Sequence, residues 1–188
     1  LFLSCGFPIA ACQVAILDND DREVPTGEAG EICVRAGHVM AEYWKRPDIT
    51  AETLRSGWLH TGDIARKDER GYMFILDRKK DMIVSGGFNI FPREVEDVLS
   101  QHADVAMVAV VGVPDEKWGE AVTAVIVARQ GAQPNADELI NLVKAKKGSA
   151  HAPKHIKFVS ELPMTGVGKI DKKVLKAGFW TGRDRMVG

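Results

Sequence analysis

The first 77 residues alternate between short apolar runs and turn sequences. Alternating or briefly apolar segments bounded by Gly, Asp and Asn are typical of strands, and the pattern predicts them at Val14–Leu17, Glu31–Arg35, Asp63–Arg66 and Tyr72–Leu76. One helix is expected at Pro47–Leu54, with acidic and hydroxyl side chains near its start. Such short strands offer little core of their own. We therefore expect this region to belong to a larger β-rich domain.

The pattern changes after five consecutive charged residues at 77–81, which on their own are consistent with a solvated turn. Beyond them, apolar strands alternate with segments of helical periodicity. The expected strands are Met82–Val84, Val105–Val113, Ala121–Ala128 and Ile156–Val159, and the expected helices are Pro92–Ser100, Ala136–Lys147 and Asp171–Ala177. This order predicts a compact α+β unit.

Composition narrows the class of protein. The 188 residues carry 25 basic and 26 acidic side chains, a net charge of −1, and 45% are hydrophobic. These values exclude a disordered chain and argue against a nucleic-acid coat or a polybasic membrane binder. The longest apolar runs fall short of a membrane-spanning helix. Three cysteines, an odd number, favour a reducing, cytoplasmic setting over a disulfide framework.

Metal binding by the chain itself is not expected. His151 and His155 are four residues apart, but Pro153 between them opposes a regular helix. The chain also begins with a sequence typical of the middle of a strand, so we expect it to be a piece of a longer protein.

Three short motifs could carry chemistry. Asp63 follows a Thr-Gly turn, where its carboxylate could accept hydrogen bonds from two adjacent hydroxyls, or simply cap a hairpin. Gly86 and Gly87 permit close approach of a ligand, or form a β-bulge. Lys169 lies on a glycine-flanked loop and could reach a developing negative charge, or be a solvated surface lysine. Pro163 and Ile170 exclude a Walker A loop here.

Basic side chains concentrate near the end of the chain. Residues 144–185 hold eleven Lys or Arg and three acidic residues, a net charge of +8. This segment is either a solvated basic face or a field that attracts a polyphosphate ligand. Nucleic acid is a third possibility, but interleaved aromatic residues that would stack bases are missing.

The motifs together carry more information than each alone. Segments 30–32, 43–47, 57–63, 77–83, 85–96 and 163–169 occur in an order and spacing that resemble the C-terminal part of the adenylate-forming enzymes. That family includes acyl-CoA synthetases, luciferases and peptide-synthetase adenylation domains. The resemblance covers about residues 4–177. It departs from the family at Glu42, where glycine is usual, and at 149–152, where many CoA ligases have an aromatic and a basic residue.

The resemblance implies a reaction in two steps with a rotating C-terminal lid. A carboxylate first reacts with ATP to give acyl-AMP and pyrophosphate, and the acyl group then moves to a thiol. By resemblance, Asp63 would bind the ribose hydroxyls with help from Arg78. Lys169 would contact the carboxylate and α-phosphate during adenylation, and Lys80 would lie at the hinge.

The second step involves a different set of residues. By resemblance, Gly86 and Gly87 would line the pantetheine path, and Trp118 is a further candidate for the CoA side. ATP or AMP and CoA are the implied cofactors, with Mg²⁺ bound through ATP by ligands outside this chain. The implied partners are a small carboxylic acid, ATP and CoA, without nucleic acid or an integral membrane segment, and with a possible homodimer.

The implied fold is α+β: the β-rich end of the large domain (a small distorted barrel or sheet), then a lid with a three-stranded sheet and flanking helices. The expected boundaries are 1–77, a hinge at 78–81, and 82–188. The family's phosphate loop is missing. We therefore expect the 188 residues alone to be inactive.

Three functions remain open. The favoured one is an acyl-CoA synthetase for fatty or aryl acids, since residues 77–83 resemble those ligases more than acetyl-CoA synthetase. The second is an adenylation enzyme that loads a carrier protein's phosphopantetheine. The third is a non-catalytic lid that binds a partner.

Overall fold

The computed structural model describes residues 4–179. The chain divides into two compact units, Leu1–Lys80 and Asp81–Gly188. The division falls inside the hinge expected at 78–81, within a single turn of 3-10 helix, Lys79–Asp81. Among the described residues, no helix is long and apolar enough to cross a bilayer.

The first unit is built on an antiparallel four-stranded sheet in the order β1-β2-β3-β4. Its elements are β1 Cys12–Leu17, β2 Gly30–Ala36, α1 Pro47–Thr53, β3 Leu59–Lys67 and β4 Met73–Arg78. Small apolar clusters cover the sheet, one around Ala15, Leu17 and Cys33 and another around Ile16, Ala65 and Met73. Alternation along β1 sends neighbouring side chains to opposite faces, which explains the two clusters.

The second unit contains a five-stranded sheet in which β6-β5-β8-β7 are antiparallel and β9 pairs with β8 in parallel. Its elements are β5 Ile83–Ser85, β6 Phe88–Ile90, α2 Pro92–Leu99, β7 Val105–Asp115, β8 Gly119–Ala128, α3 Ala136–Lys147, β9 His155–Phe158 and α4 Lys172–Ala177.

The core of the second unit explains its layers. Val108 and Val110 of β7 pack in the main cluster with residues of α2 and α3. Ala109, between them, packs in another cluster with Leu162 and Leu175. Because alternate residues of a strand face opposite ways, α2 and α3 cover one face of the sheet and α4 covers the other.

The expected α+β class is confirmed, with one correction. The sheet of the second unit has five strands and not three. β6 has only three residues, too few to show a period, and no strand was expected there. A strand was expected at Ile156–Val159, and the structure has it as β9, His155–Phe158, which pairs with β8 in parallel. For the first unit, a small distorted barrel or a sheet was expected, and the described residues form an open sheet with β1 and β4 as its two ends.

Candidate functional site

Asp63 and Arg78 lie side by side on two adjacent strands of the first sheet, β3 and β4. They are direct partners in the β3–β4 register, and Nε of Arg78 lies 2.9 Å from Oδ1 of Asp63. A quarter of the Asp63 side chain is exposed. The carboxylate is thus oriented by a guanidinium while it stays open to a polar ligand, which is suitable for binding a pair of hydroxyl groups.

The backbone before Asp63 is held in an irregular conformation. The β2–β3 register shifts between Glu31 and Cys33, and the hydroxyl of Thr61 donates to the carbonyl of Ile32 at 2.8 Å. The same hydroxyl accepts from the backbone N–H of Asp63 at 3.1 Å. Gly62 adopts a φ of +73°, which glycine tolerates without strain. The Thr-Gly pair therefore bends β3 and presents Asp63.

A buried polar cluster lies next to this turn, and sequence reasoning missed it. Glu31 and His60 are both buried, and Nδ1 of His60 lies 3.2 Å from Oε2 of Glu31. Glu31 shares its strand face with buried Cys33, two residues away. The signal that could have revealed it is a charged residue, Glu31, two positions before an apolar residue that faces the core, since such residues of a strand share a face.

The cluster perturbs two ionisable groups. Burial opposes ionisation of Glu31, but hydrogen bonds from His60, the Gly62 backbone and Lys79 outweigh it, so the pKa of Glu31 is lowered. Burial, assisted by the negative charge of Glu31, raises the pKa of the Cys33 thiol to about 12. Glu31 is therefore charged and Cys33 neutral at physiological pH.

The loop around Lys169 is closed on itself. The Thr165 backbone N–H donates to the carbonyl of Lys169 at 2.7 Å, and Oγ1 of Thr165 accepts from the Lys169 N–H at 3.1 Å. Asp171 then caps α4 by accepting from Lys173 and Val174. The Lys169 side chain is exposed. A fixed backbone thus carries an accessible ammonium group.

Gly86 and Gly87 form the tight turn between β5 and β6, and Gly86 lies against Trp118. The N–H of Gly86 donates to the carbonyl of Trp118 at 2.9 Å. A Cβ at Gly86 would lie 2.8 Å from Cε3 of the indole, whereas one at Gly87 would meet nothing within 4 Å. The structure therefore brings together the three residues assigned to the CoA side.

Two lysines flank the same indole. Nζ of Lys117 lies 4.9 Å and Nζ of Lys154 lies 4.8 Å from the centroid of the Trp118 ring. Asp115 fixes the turn before Trp118 by accepting from the backbone N–H groups of residues 117 and 118. This aromatic and cationic patch can bind an anion that also offers apolar surface.

The predicted residues therefore fall into separate groups. Asp63 and Arg78 form one pair in the first unit, and Gly86, Gly87 and Trp118 form another group in the second. Lys169 stands on its own loop in the second unit. Lys80 is the last residue of the first unit and lies in the 3-10 turn. The roles of these residues remain predictions.

The described residues do not suit Mg²⁺. Within 4–179, the group of three donors that could surround one ion is Glu31, Cys33 and His60. A neutral thiol and an imidazole are poor magnesium ligands, since Mg²⁺ prefers oxygen donors. Lys79 and Arg55 also lie 3.1 and 3.7 Å from Oε2 of Glu31 and would repel a cation.

Comparison with known proteins identifies both parts of the chain. Residues 2–44 match the family model described as AMP-binding enzyme, and residues 94–169 match the AMP-binding enzyme C-terminal domain. A medium/long-chain-fatty-acid–CoA ligase of Mycobacterium tuberculosis is 53% identical over 98% of this chain, which covers 34% of that protein.

A second relative and a solved structure are also similar to this chain. A fatty acid–[acyl-carrier-protein] ligase of Streptomyces coeruleorubidus is 42% identical over the whole chain and 36% of its own length. The ATP-bound crystal structure of MatB from Rhodopseudomonas palustris matches with a TM-score of 0.87 and 34% identity, over 94% of this chain and 36% of that one. The chain thus spans about a third of its relatives' length. The chain belongs to the adenylate-forming, AMP-binding enzymes and contains their C-terminal domain.

Proposed function

We propose that the chain is part of an ATP-dependent acyl-CoA synthetase that acts on a fatty or aryl acid. The observation that supports it most is the Asp63–Arg78 pair, which presents an oriented and accessible carboxylate at the turn where the family motif ends. The 53% identity to a fatty-acid–CoA ligase favours the same class of substrate.

In the first step, a carboxylate oxygen of the acid attacks the α-phosphorus of ATP. A new O–P bond forms, the bond to pyrophosphate breaks, and acyl-AMP remains. Asp63 accepts hydrogen bonds from the two ribose hydroxyls while Arg78 holds its carboxylate in place. The exposed ammonium of Lys169 stabilises the negative charge that builds when two anions are brought together. The closed Thr165 turn fixes the backbone that carries this lysine.

In the second step, a thiol of CoA attacks the acyl carbon. The C–S bond forms, the bond to AMP breaks, and the thiol proton is lost to solvent or to a base outside this chain. Gly87 faces open space where a pantetheine arm could pass, and Gly86 lets the turn pack closely against Trp118. Lys117 and Lys154 add positive charge beside the same ring. Lys80 serves as the hinge that exchanges the two sets of residues.

Mg²⁺ enters this proposal only as the counterion of ATP. Within residues 4–179, the three-donor group Glu31, Cys33 and His60 does not suit it, and we propose that its ligands are ATP and parts of the longer protein. We assign no step to the metal. We also propose a cytoplasmic location, which the three free cysteines support.

A second candidate is the loading of a carrier protein's phosphopantetheine. It is favoured by the 42% identity to a fatty acid–[acyl-carrier-protein] ligase. The chemistry of the thiol step is the same, and the two candidates differ in what carries the thiol. Free CoA is the reagent that separates them.

The experiment is pyrophosphate release by the full-length protein with a panel of fatty and aryl acids, with and without CoA. CoA-dependent turnover and the matching acyl-CoA by mass spectrometry are the expected results. An adenylate that free CoA leaves unconsumed would favour carrier loading. No pyrophosphate with any acid would refute the proposal. The 188-residue chain alone is expected to release none.

A further inference from the structure

A single buried carboxylate holds the residues on both sides of the ribose-binding pair. Oε1 of Glu31 accepts from the backbone N–H of Gly62 at 2.9 Å. Oε2 of the same side chain lies 3.1 Å from Nζ of Lys79. Gly62 directly precedes Asp63, and Lys79 directly follows Arg78. One carboxylate therefore contacts the residue just before Asp63 on β3 and the residue just after Arg78, where β4 ends.

Glu31 is suited to this task because it is rigid and charged. Its side chain is 5% exposed, and His60 contacts the oxygen that also faces Lys79. A buried carboxylate in fixed contacts loses almost no further freedom when a ligand binds. If the charge of Glu31 were removed, Lys79 would lose its carboxylate partner at this position. His60 would stay buried beside an uncharged side chain, and the free-energy cost of burying it would remain.

The residues around this carboxylate are themselves constrained. Asp21 and Ser56 both adopt positive φ, +58° and +52°, although neither is glycine. The Ser56 hydroxyl donates to Asp21 at 2.7 Å, and Arg55 lies 3.4 Å from Asp21 and 3.7 Å from Glu31. Backbone conformations of this kind persist only where surrounding contacts impose them. The network extends from two strained turns to the Gly62 turn.

We propose that Glu31 is a positioning residue that sets the separation and orientation of Asp63 and Arg78 for an adenosine ribose. The inference rests on the proposed function and extends it to a residue that does not touch the substrate. It follows that Glu31 affects every substrate that contains this ribose, ATP and acyl-AMP alike. Substrates that bind elsewhere, the acid and CoA, are not affected.

The test is Glu31→Gln in the full-length protein, because glutamine keeps the shape and one acceptor but loses the charge. The expected result is that KM for ATP and KM for supplied acyl-AMP both rise on the order of tenfold, while KM for the acid and for CoA stay unchanged. A purely structural role would instead lower kcat with the folded fraction and leave all KM values equal to wild type.

Two further variants complete the design. Glu23→Gln is the matched control, since Glu23 forms a 2.7 Å pair with Lys67 on the same unit but is 55% exposed, whereas Glu31 is 5% exposed. It is expected to leave every KM unchanged. If Glu31→Gln does not fold, Lys79→Gln removes the other half of the contact, and the same selective rise in the two adenosine KM values is expected.

The outcomes distinguish a failure of the positioning role from a failure of the proposed function. Wild-type turnover with unchanged ATP and acyl-AMP KM values in the Glu31 and Lys79 variants overturns the positioning role and leaves the proposed function standing. Wild-type protein that neither binds ATP nor releases pyrophosphate refutes the proposed function, and the positioning role falls with it.

Discussion

Gly86 and Gly87 are adjacent, but the structure assigns them different constraints. Both have positive φ, +57° and +83°. A side chain at either position therefore costs about 1–2 kcal/mol in backbone strain. Only Gly86 also contacts a neighbour, since its Cβ would lie 2.8 Å from Cε3 and 3.1 Å from Cζ3 of Trp118. The ring is part of a packed turn and has to shift to make room.

Alanine at the two positions therefore gives unequal effects. Gly87→Ala is expected to lower the free energy of unfolding by about 1–2 kcal/mol, from backbone strain alone. Gly86→Ala adds overpacking against the indole, about 1–3 kcal/mol more. Because Trp118 moves, acyl transfer from supplied acyl-AMP to CoA should also slow in Gly86→Ala, while pyrophosphate release in the first step is retained.

The assay compares the two variants in the same full-length protein. Unfolding is followed by denaturant titration, and each half-reaction is measured separately. Equal destabilisation by both substitutions would show that the contact between Gly86 and Trp118 does not constrain the turn. Equal slowing of both half-reactions by Gly86→Ala would refute the assignment of this turn to the thiol step.

Three other expectations follow from the same geometry. Asp63→Asn should raise KM for ATP about tenfold or more, because the hydroxyls lose a charged acceptor; steady-state kinetics checks this, and an unchanged KM contradicts it. The lowered pKa of Glu31 means that its ion pairs stabilise the fold above pH 4.5 and that this contribution is lost as the pH falls through the folded pKa. The difference in unfolding free energy between wild type and Glu31→Gln should therefore shrink below pH 4.5, and a pH-independent difference would argue against it. With its pKa raised to about 12, Cys33 should resist alkylation at neutral pH until the protein is denatured, as mass spectrometry of native and unfolded samples would show.

The sequence was most informative where a pattern was long. The apolar runs of β7 and β8 and the amphipathic helices α2 and α3 follow directly from their periodicity, since eight or more residues define a period. β6 has three residues, too few to show one, and pairs through a two-glycine turn. Asp77 and Arg78 are strand residues of β4 although the charged run indicated a turn, because pairing with β3 satisfies their backbone.

The sequence predicted only part of the candidate site. Motifs identified Asp63, Arg78 and Lys169 as residue types in a known order, but not which of them contact each other. The contact of Glu31 with both Gly62 and Lys79 joins residues 31 and 48 positions apart in the chain. Such a contact depends on strand register, which a bulge between Glu31 and Cys33 alters. No local pattern in the sequence encodes that shift.

The central claim is that the two half-reactions use different residues of this chain: Lys169 in adenylation, and Gly86, Gly87 and Trp118 in transfer to the thiol. The measurement that tests it most directly is Lys169→Ala in the full-length protein, with each half-reaction assayed alone. Pyrophosphate release is expected to fall by a factor on the order of 10²–10³, the loss typical of one charge-stabilising group. Acyl transfer from supplied acyl-AMP to CoA should remain near wild type. Equal loss in both half-reactions would contradict the account.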